Sequence, residues 1–129
     1  TLKYTRTVDV IKNIIHRLLN AMDFAIIDVL EYYKKKKKIK EIHLTPIARA
    51  ESLKEVIGKD IMLLDFLNFY FMLKKIDKSE FTKREEFRKN VRLVIVHEDD
   101  TYDVDIVKIH EFFKKTMDFV NYVEEKYKK

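Results

Sequence analysis

A single glycine, Gly58, and a single proline, Pro46, are spread over 129 residues, and this poverty of turn-forming residues constrains the fold more than any other feature. Folds of many short strands need many tight turns, and those draw on Gly, Pro, Asn and Asp at special backbone angles, whereas long helices need few breakers. The chain also combines 47% hydrophobic with 38% charged residues, the mixture that amphipathic helices use. The expectation is an all-α fold, an antiparallel helical bundle of four to five helices. One domain should span residues 1–129, a length that can enclose its own core.

Helix starts and stops can be placed from capping chemistry. From Thr7 or Asp9, apolar residues recur at Ile11, Ile14, Ile15, Leu18, Met22, Ala25, Val29 and Tyr33, the three-and-four spacing of one helical face. His16 and Arg17 sit side by side on this helix and are read as packed or solvated, and Asp23 and Asp28 as surface residues. Thr45-Pro46 supplies a cap followed by a residue that loses no hydrogen bond at the first helical position. The short helix it opens should end at Ile57, with Gly58 taking the left-handed position. Asp60 then restarts the chain into a third helix to about Lys75, apolar on nearly every side except Asp65 and Asn68. Such a helix is either central or covered by a partner, and partner cover over part of it is the expectation.

After a linker over 76–81, Thr82 and Glu85 have the spacing of a capping box and should open a fourth helix, with Phe87, Val91 and Val94 on its buried edge. Residues 91–96 are β-branched enough for a competing reading, a hairpin returning over 102–107. Asp103 or Asp105 should cap the last helix, whose apolar face runs through Ile106, Ile109, Phe113, Met117 and Val120, widened by Phe112, Phe119 and Val123. His110 on that helix is read as structural.

The stretch 87–107, FRKNVRLVIVHEDDTYDVDIV, holds the arrangement best suited to chemistry. Arg92 and His97, with four residues between them, pair a permanent cation with a group that exchanges protons near neutrality. Against a phosphodiester, the imidazole could take the proton of an RNA 2′-hydroxyl or return one to the leaving oxygen, while the guanidinium holds charge developing on phosphorus. No metal or other cofactor is needed for that reaction. On an ideal helix the five-residue offset sets the two side chains about 140° apart, so convergence needs a distorted helix end, a long reach by Arg92, or a groove between subunits. The competing reading is an exposed Arg and a His at a helix end, where a charged imidazole suits the helix dipole.

These residues resemble the HEPN domains, small helical proteins in which an Arg-x4-6-His motif on a late helix marks metal-independent ribonucleases, many of them toxins. In the HepT-like branch a hydrophobic residue precedes the Arg, an apolar run leads to the His, and a short turn, an Asp and an acidic-Ile-Val sequence follow. This chain has Val91, Arg92, the run Leu93, Val94, Ile95 and Val96, then His97, Asp103, Val104, Asp105, Ile106 and Val107 in the matching order. It departs from the pattern at Leu93, where a polar residue is common, and at Asp99, which replaces a Tyr that a nucleotidyltransferase partner modifies in that branch. The resemblance implies an RNA-cleaving or RNA-binding domain with Arg92 and His97 catalytic, a site built across a homodimer, and a cognate antitoxin or nucleotidyltransferase-type partner. Attack by the substrate's own hydroxyl would leave a 2′,3′-cyclic phosphate and a 5′-hydroxyl.

Charge patterning points to a polyanion as well. The formal net charge is +5, and Lys34, Lys35, Lys36, Lys37 and Lys38 form an unbroken run at the end of the first helix. Such a run either grips the backbone of RNA or DNA without sequence preference or is merely solvated at the negative end of the helix dipole. Arg84, Arg88 and Arg92 recur every four residues, either as a stripe tracking a phosphate backbone toward His97 or as a face paired with Glu80, Glu85 and Glu86. The alternative to an enzyme is therefore a nucleic-acid-binding or packaging bundle, or a helical assembly partner that happens to be basic. The acidic residues at 98–105 lack the spacing and the Gly of a calcium loop, and with no Cys in the chain there are neither disulfides nor thiolate metal sites. Charges recur too often for a membrane span, so a cytoplasmic protein is expected. Heavy Lys, Glu and Ile use is the bias of thermophile proteins and of AT-rich genomes alike.

Overall fold

The computed structural model describes the backbone of residues 2–78, 80–83, 93–97 and 100–128, and the side chains of residues 9–78 and 104–128. Within these it contains four helices and three strands: α1 (Leu2–Lys35), α2 (Pro46–Val56), α3 (Ile61–Lys78), β1 (Glu80–Lys83), β2 (Leu93–His97), β3 (Asp100–Val104) and α4 (Ile106–Tyr127).

The helical bundle is what the composition demands, and its boundaries follow from local chemistry. Thr45 Oγ1 accepts from the Ala48 amide at 3.4 Å with Pro46 at the first helical position, and Asp60 Oδ1 accepts from the Leu63 amide at 3.0 Å. Asp105 Oδ1 accepts from the Lys108 amide at 2.9 Å. Each carboxylate or hydroxyl satisfies an amide that the first helical turn leaves without a partner. Gly58 takes φ +61° between α2 and α3, as the stop signal required.

Three long helices make the body. Asp77 near the end of α3 pairs with His16 at 2.7 Å, and Tyr70 donates to Asp23 at 2.5 Å, so α1 and α3 run antiparallel. Lys115 pairs with Asp65 at 2.8 Å and Lys126 with Asp60 at 3.1 Å, so α3 and α4 also run antiparallel. Three passes then leave α1 and α4 parallel, with Tyr33 beside Tyr127 and Asp28 beside Lys128; the antiparallel expectation holds for neighbours along the chain but not for this pair. The interior is aliphatic and aromatic. Ile15, Met22, Leu30, Leu63, Leu67, Tyr70, Leu73 and Phe119 are fully buried, each contributing about 1.5–3 kcal/mol by leaving water, and Phe66 stacks on Phe119 with centroids 5.1 Å apart.

The structure resolves the faces of two helices, and on the second it corrects the expected one. In α3, seven side chains from Leu63 to Ile76 are buried within the chain's own core, while Ile61 and Met62 at its start stand exposed. In α4 the core face is Ile109, Phe112, Thr116, Phe119, Val123 and Tyr127, while Ile106, Phe113 and Met117 stand exposed. The sequence offers two apolar stripes on this helix, and the more aromatic one won the core.

The bundle departs from all-α character between α3 and α4. Thr82 does not cap a helix: residues 82 and 83 lie in β1, which pairs antiparallel with β2, and β2 pairs antiparallel with β3, while 84–92, with Phe87 and Val91 of the expected fourth helix, lie outside the described residues. The strand alternative describes residues 93–97 and 100–104, which pair antiparallel with His97 opposite Asp100. β-Branched residues lose side-chain freedom in a helix and fit a pleated surface, and at Leu93–His97 that preference outweighed the helical spacing.

Candidate nucleic-acid interface

The five-lysine run lies on a defined turn rather than a frayed end. α1 stops at Lys35, the Lys38 amide donates to Tyr33 O at 2.9 Å, and the Lys37 amide donates to Lys34 O at 3.0 Å. This pair of bonds is the Schellman arrangement, which places its left-handed residue one position past the helix cap. That residue is Lys37, with φ +61°. Turning the backbone here splays Lys34, Lys35, Lys36, Lys37 and Lys38 around the end of the helix, all exposed. Among the described residues no carboxylate forms an ion pair with any of the five.

Because α1 and α4 are parallel, their C-terminal ends share one pole of the molecule. Lys126 and Lys128 of α4 therefore join the run from α1. Beneath them is a knot of tyrosines: Tyr32 meets Tyr127 edge-on at 5.0 Å and Tyr33 edge-on at 5.3 Å, and Tyr122 approaches Tyr127 at 6.3 Å. Lys36 lies over the Tyr32 ring at 5.5 Å, and Lys126 over Tyr122 at 5.4 Å and Tyr127 at 5.8 Å, cation–π contacts that tie both lysines to the tyrosine knot. Tyr32 and Tyr33 are both engaged in this packing, and neither is left as a free platform for a base.

Asp60 anchors the knot. Its carboxylate is 7% exposed and accepts from Tyr127 at 2.5 Å, from Tyr122 at 2.7 and 2.8 Å, and from Lys126 at 3.1 Å, besides capping α3. Burial alone would push the Asp60 carboxyl up, but the bonds from Tyr127, the Leu63 amide, Tyr122 and Lys126 outweigh it and hold the group below its ordinary range. Burial, followed by the bond to Asp60, drives the Tyr127 phenol far above its ordinary value. The Lys126 ammonium is held above its ordinary range by its bonds to Tyr122 and then Asp60, so its charge is permanent at any ordinary pH.

The other sequence-derived candidates are elsewhere. β1 follows α3 after one residue, and Glu80 pairs with Val96, so β2 and the backbone of His97 lie beyond the C-terminal end of α3. Lys126 meets the opposite end of that helix. The eighteen residues of α3 span about 27 Å between its two ends. His97 is thus on a strand, not the late helix expected for it, and Arg84, Arg88 and Arg92 lie outside the described residues. His16 pairs with Asp77, and His110 is exposed on α4.

No family model, curated protein or solved structure matches the chain. Among the described residues no helix is long and apolar enough to cross a membrane, and no cluster of His, Asp and Glu could hold a metal ion.

Sequence reasoning found the lysine run but not its companions. Lys126, Lys128, Tyr122 and Tyr127 carry a local signal, the i, i+4 spacing of Tyr122 and Lys126 at a Lys-rich helix end. Their meeting with residues 32–38 depends on the parallel course of α1 and α4.

Proposed function

We propose that this chain binds nucleic acid, RNA in the first instance, by gripping its phosphate backbone at the lysine pole. The observation that carries the reading is the convergence of the 34–38 run with Lys126 and Lys128 over a tyrosine floor fixed by Asp60. The ammonium groups of residues 34–38, which pair with no carboxylate among the described residues, release counterions from a polyanion on binding. Lys126 and Lys128, held by Asp60 and by Asp28 and Glu124, contribute less. With the tyrosine rings occupied by one another, contact falls on phosphates rather than bases, and affinity should vary little with sequence.

The Arg92 and His97 pair, on its resemblance to HEPN domains, adds cleavage to binding as a second reading, and one assay separates the two. Purified protein is titrated against labelled single-stranded RNA and duplex DNA at several salt concentrations, and incubated with RNA in EDTA. Replacing the five lysines by alanine should weaken binding about 100-fold or more and flatten the salt dependence on single strands by roughly three units of slope. Cleavage that is lost in Arg92→Ala and His97→Ala but survives, weakened, in the lysine variant supports the ribonuclease; binding without cleavage in every form leaves the non-enzymatic reading. If the lysine variant binds RNA as the parent does, the pole is not the interface.

A further inference from the structure

The stripe of α4 that lost the competition for the core has a counterpart on α1. On α4, Ile106, Phe113 and Met117 are 67%, 54% and 40% exposed, and half-buried Val120 continues their line. On α1, the positions Val10, Ile14, Arg17, Ala21, Phe24 and Asp28 alternate steps of four and three, the spacing of a helix-packing seam. Val10 is 54% and Phe24 69% exposed. Since the two helices are parallel neighbours, with Ala21 and Phe24 lining the same recess as Val120 and Val123, the two stripes adjoin and form one apolar face along the α1–α4 groove. A face of this kind, two helices wide, is what half of a four-helix bundle presents before its other half arrives.

We infer that this face pairs with a second copy of the same chain, related by a two-fold axis across the α1–α4 groove. Two features make the surface complementary to itself, which an isologous interface requires. The first is shape. The large ring of Phe24 stands beside a recess of about 320 Å³ between Ala21, Ala25, Val120 and Val123, so a knob and a hole lie side by side and a two-fold rotation sets each into the other. The second is charge. Arg17 lies two turns before Phe24 and has no carboxylate partner among the described residues. Asp28 and Glu124, about one turn beyond Phe24, share the single ammonium of Lys128 at 3.5 and 3.1 Å, which leaves that side one negative charge in excess. Reversing one copy against the other brings each Arg17 toward the acidic side of its partner. A parallel pairing would set Arg17 against Arg17. The antiparallel arrangement also places the two lysine poles at opposite ends of the dimer.

Analytical ultracentrifugation of the full chain tests this. The parent should sediment as a dimer at micromolar concentration. Phe24→Glu should weaken self-association about 100-fold or more with an unchanged helical circular dichroism spectrum, whereas Met62→Glu, which alters an exposed side chain on the α3–α4 side, should leave the dimer intact. Arg17→Glu alone, and Asp28→Lys with Glu124→Lys, should each weaken the dimer about tenfold, and the triple variant should recover most of that loss. A monomeric parent at 100-fold higher concentration overturns the inference, as does a dimer that survives Phe24→Glu or yields to Met62→Glu, and failure of the triple variant to recover overturns the antiparallel pairing.

Discussion

The two ends of the bundle are built by different physics. At the lysine pole, Tyr122, Lys126 and Tyr127 of α4 converge on the carboxylate of Asp60 at the start of α3, and Tyr33 of α1 meets Tyr127, so the contacts join residues as far apart as Asp60 and Tyr127. Beyond the other end of α3, the described connection between segments is a backbone ladder in which β2 pairs with β1 on one side and β3 on the other. A side-chain knot can be undone by one substitution at its centre and is sensitive to protonation. A ladder is indifferent to most substitutions but not to the loss of an amide. The comparison can be broken at either end.

The largest effect should come from Ile95→Pro. Ile95 sits in the central strand, opposite Phe81 and Tyr102, and proline there removes an amide from the ladder and forces φ, at a cost of about 3 kcal/mol or more. Hydrogen exchange should show lost protection across the strands while the α3 core positions Leu63, Leu67 and Leu73 remain protected. RNA affinity should stay within about twofold of the parent, because the lysine pole lies at the opposite end of α3; a fall comparable to that of the lysine variant would mean that the two ends are one unit.

Asp60→Asn should follow, lowering stability by about 2–3 kcal/mol at neutral pH. Asparagine still caps α3, so the loss isolates the charge-assisted bonds from Tyr127, Tyr122 and Lys126. The sign with pH is fixed by the direction of the shift. Asp60 is held below its ordinary range, so its contribution is present above the unfolded aspartate range, near pH ~4, and is lost as pH falls through the lowered folded value. Urea melts should therefore separate parent and variant at pH 7 and bring them together in strong acid. At the alkaline end the phenols behave oppositely. Tyr70, Tyr122 and Tyr127 all titrate above their ordinary value, burial being the first cause, so parent stability should decline above about pH 10, where the unfolded tyrosines ionise and the folded ones do not.

The contrast between the ends also explains what could be read from the sequence. Caps and stops are local, and Thr45, Gly58, Asp60 and Asp105 all act where their neighbours in the chain implied. The core of α1 was legible for the same reason, since Ile11, Ile15, Leu18, Met22, Ala25 and Val29 keep one phase and are all buried. Segment 82–97 was ambiguous because two local signals conflict there, a capping box with helical spacing against a β-branched run, and local chemistry offers no arbiter. On α4 both stripes have helical phase, and only the direction of α1 decides which one meets the core. The tyrosine knot was illegible in a stronger sense. Asp60 reads as a cap and nothing more until the course of three helices brings Tyr122, Tyr127 and Lys126 to it, just as Asp23 reads as a surface residue until Tyr70 arrives from α3.

Tyr70→Phe tests that last contact, away from both ends. It removes the 2.5 Å bond to Asp23 while keeping the buried ring. The expected loss is about 1–2 kcal/mol, smaller than at Asp60 because one bond goes rather than several, and thermal melts should show it with RNA affinity unchanged.

The smallest effect, and the one that separates folding from binding at the lysine pole, belongs to Lys37→Gly. An L-residue in the left-handed region costs about 1–2 kcal/mol, and glycine recovers part of this while losing about 0.5–1 kcal/mol to its greater freedom when unfolded. The variant should be more stable by about 0.5–1 kcal/mol, raising Tm by roughly 2–4 °C. Yet it should bind RNA more weakly, because one ammonium leaves the turn; on a single strand the salt slope should flatten by about 0.7. Those opposite signs would show that a charge occupies a strained position where glycine is the better folder. A gain in stability with affinity and salt slope unchanged would place the phosphate contacts on the other lysines of the run and leave the Lys37 side chain in solvent.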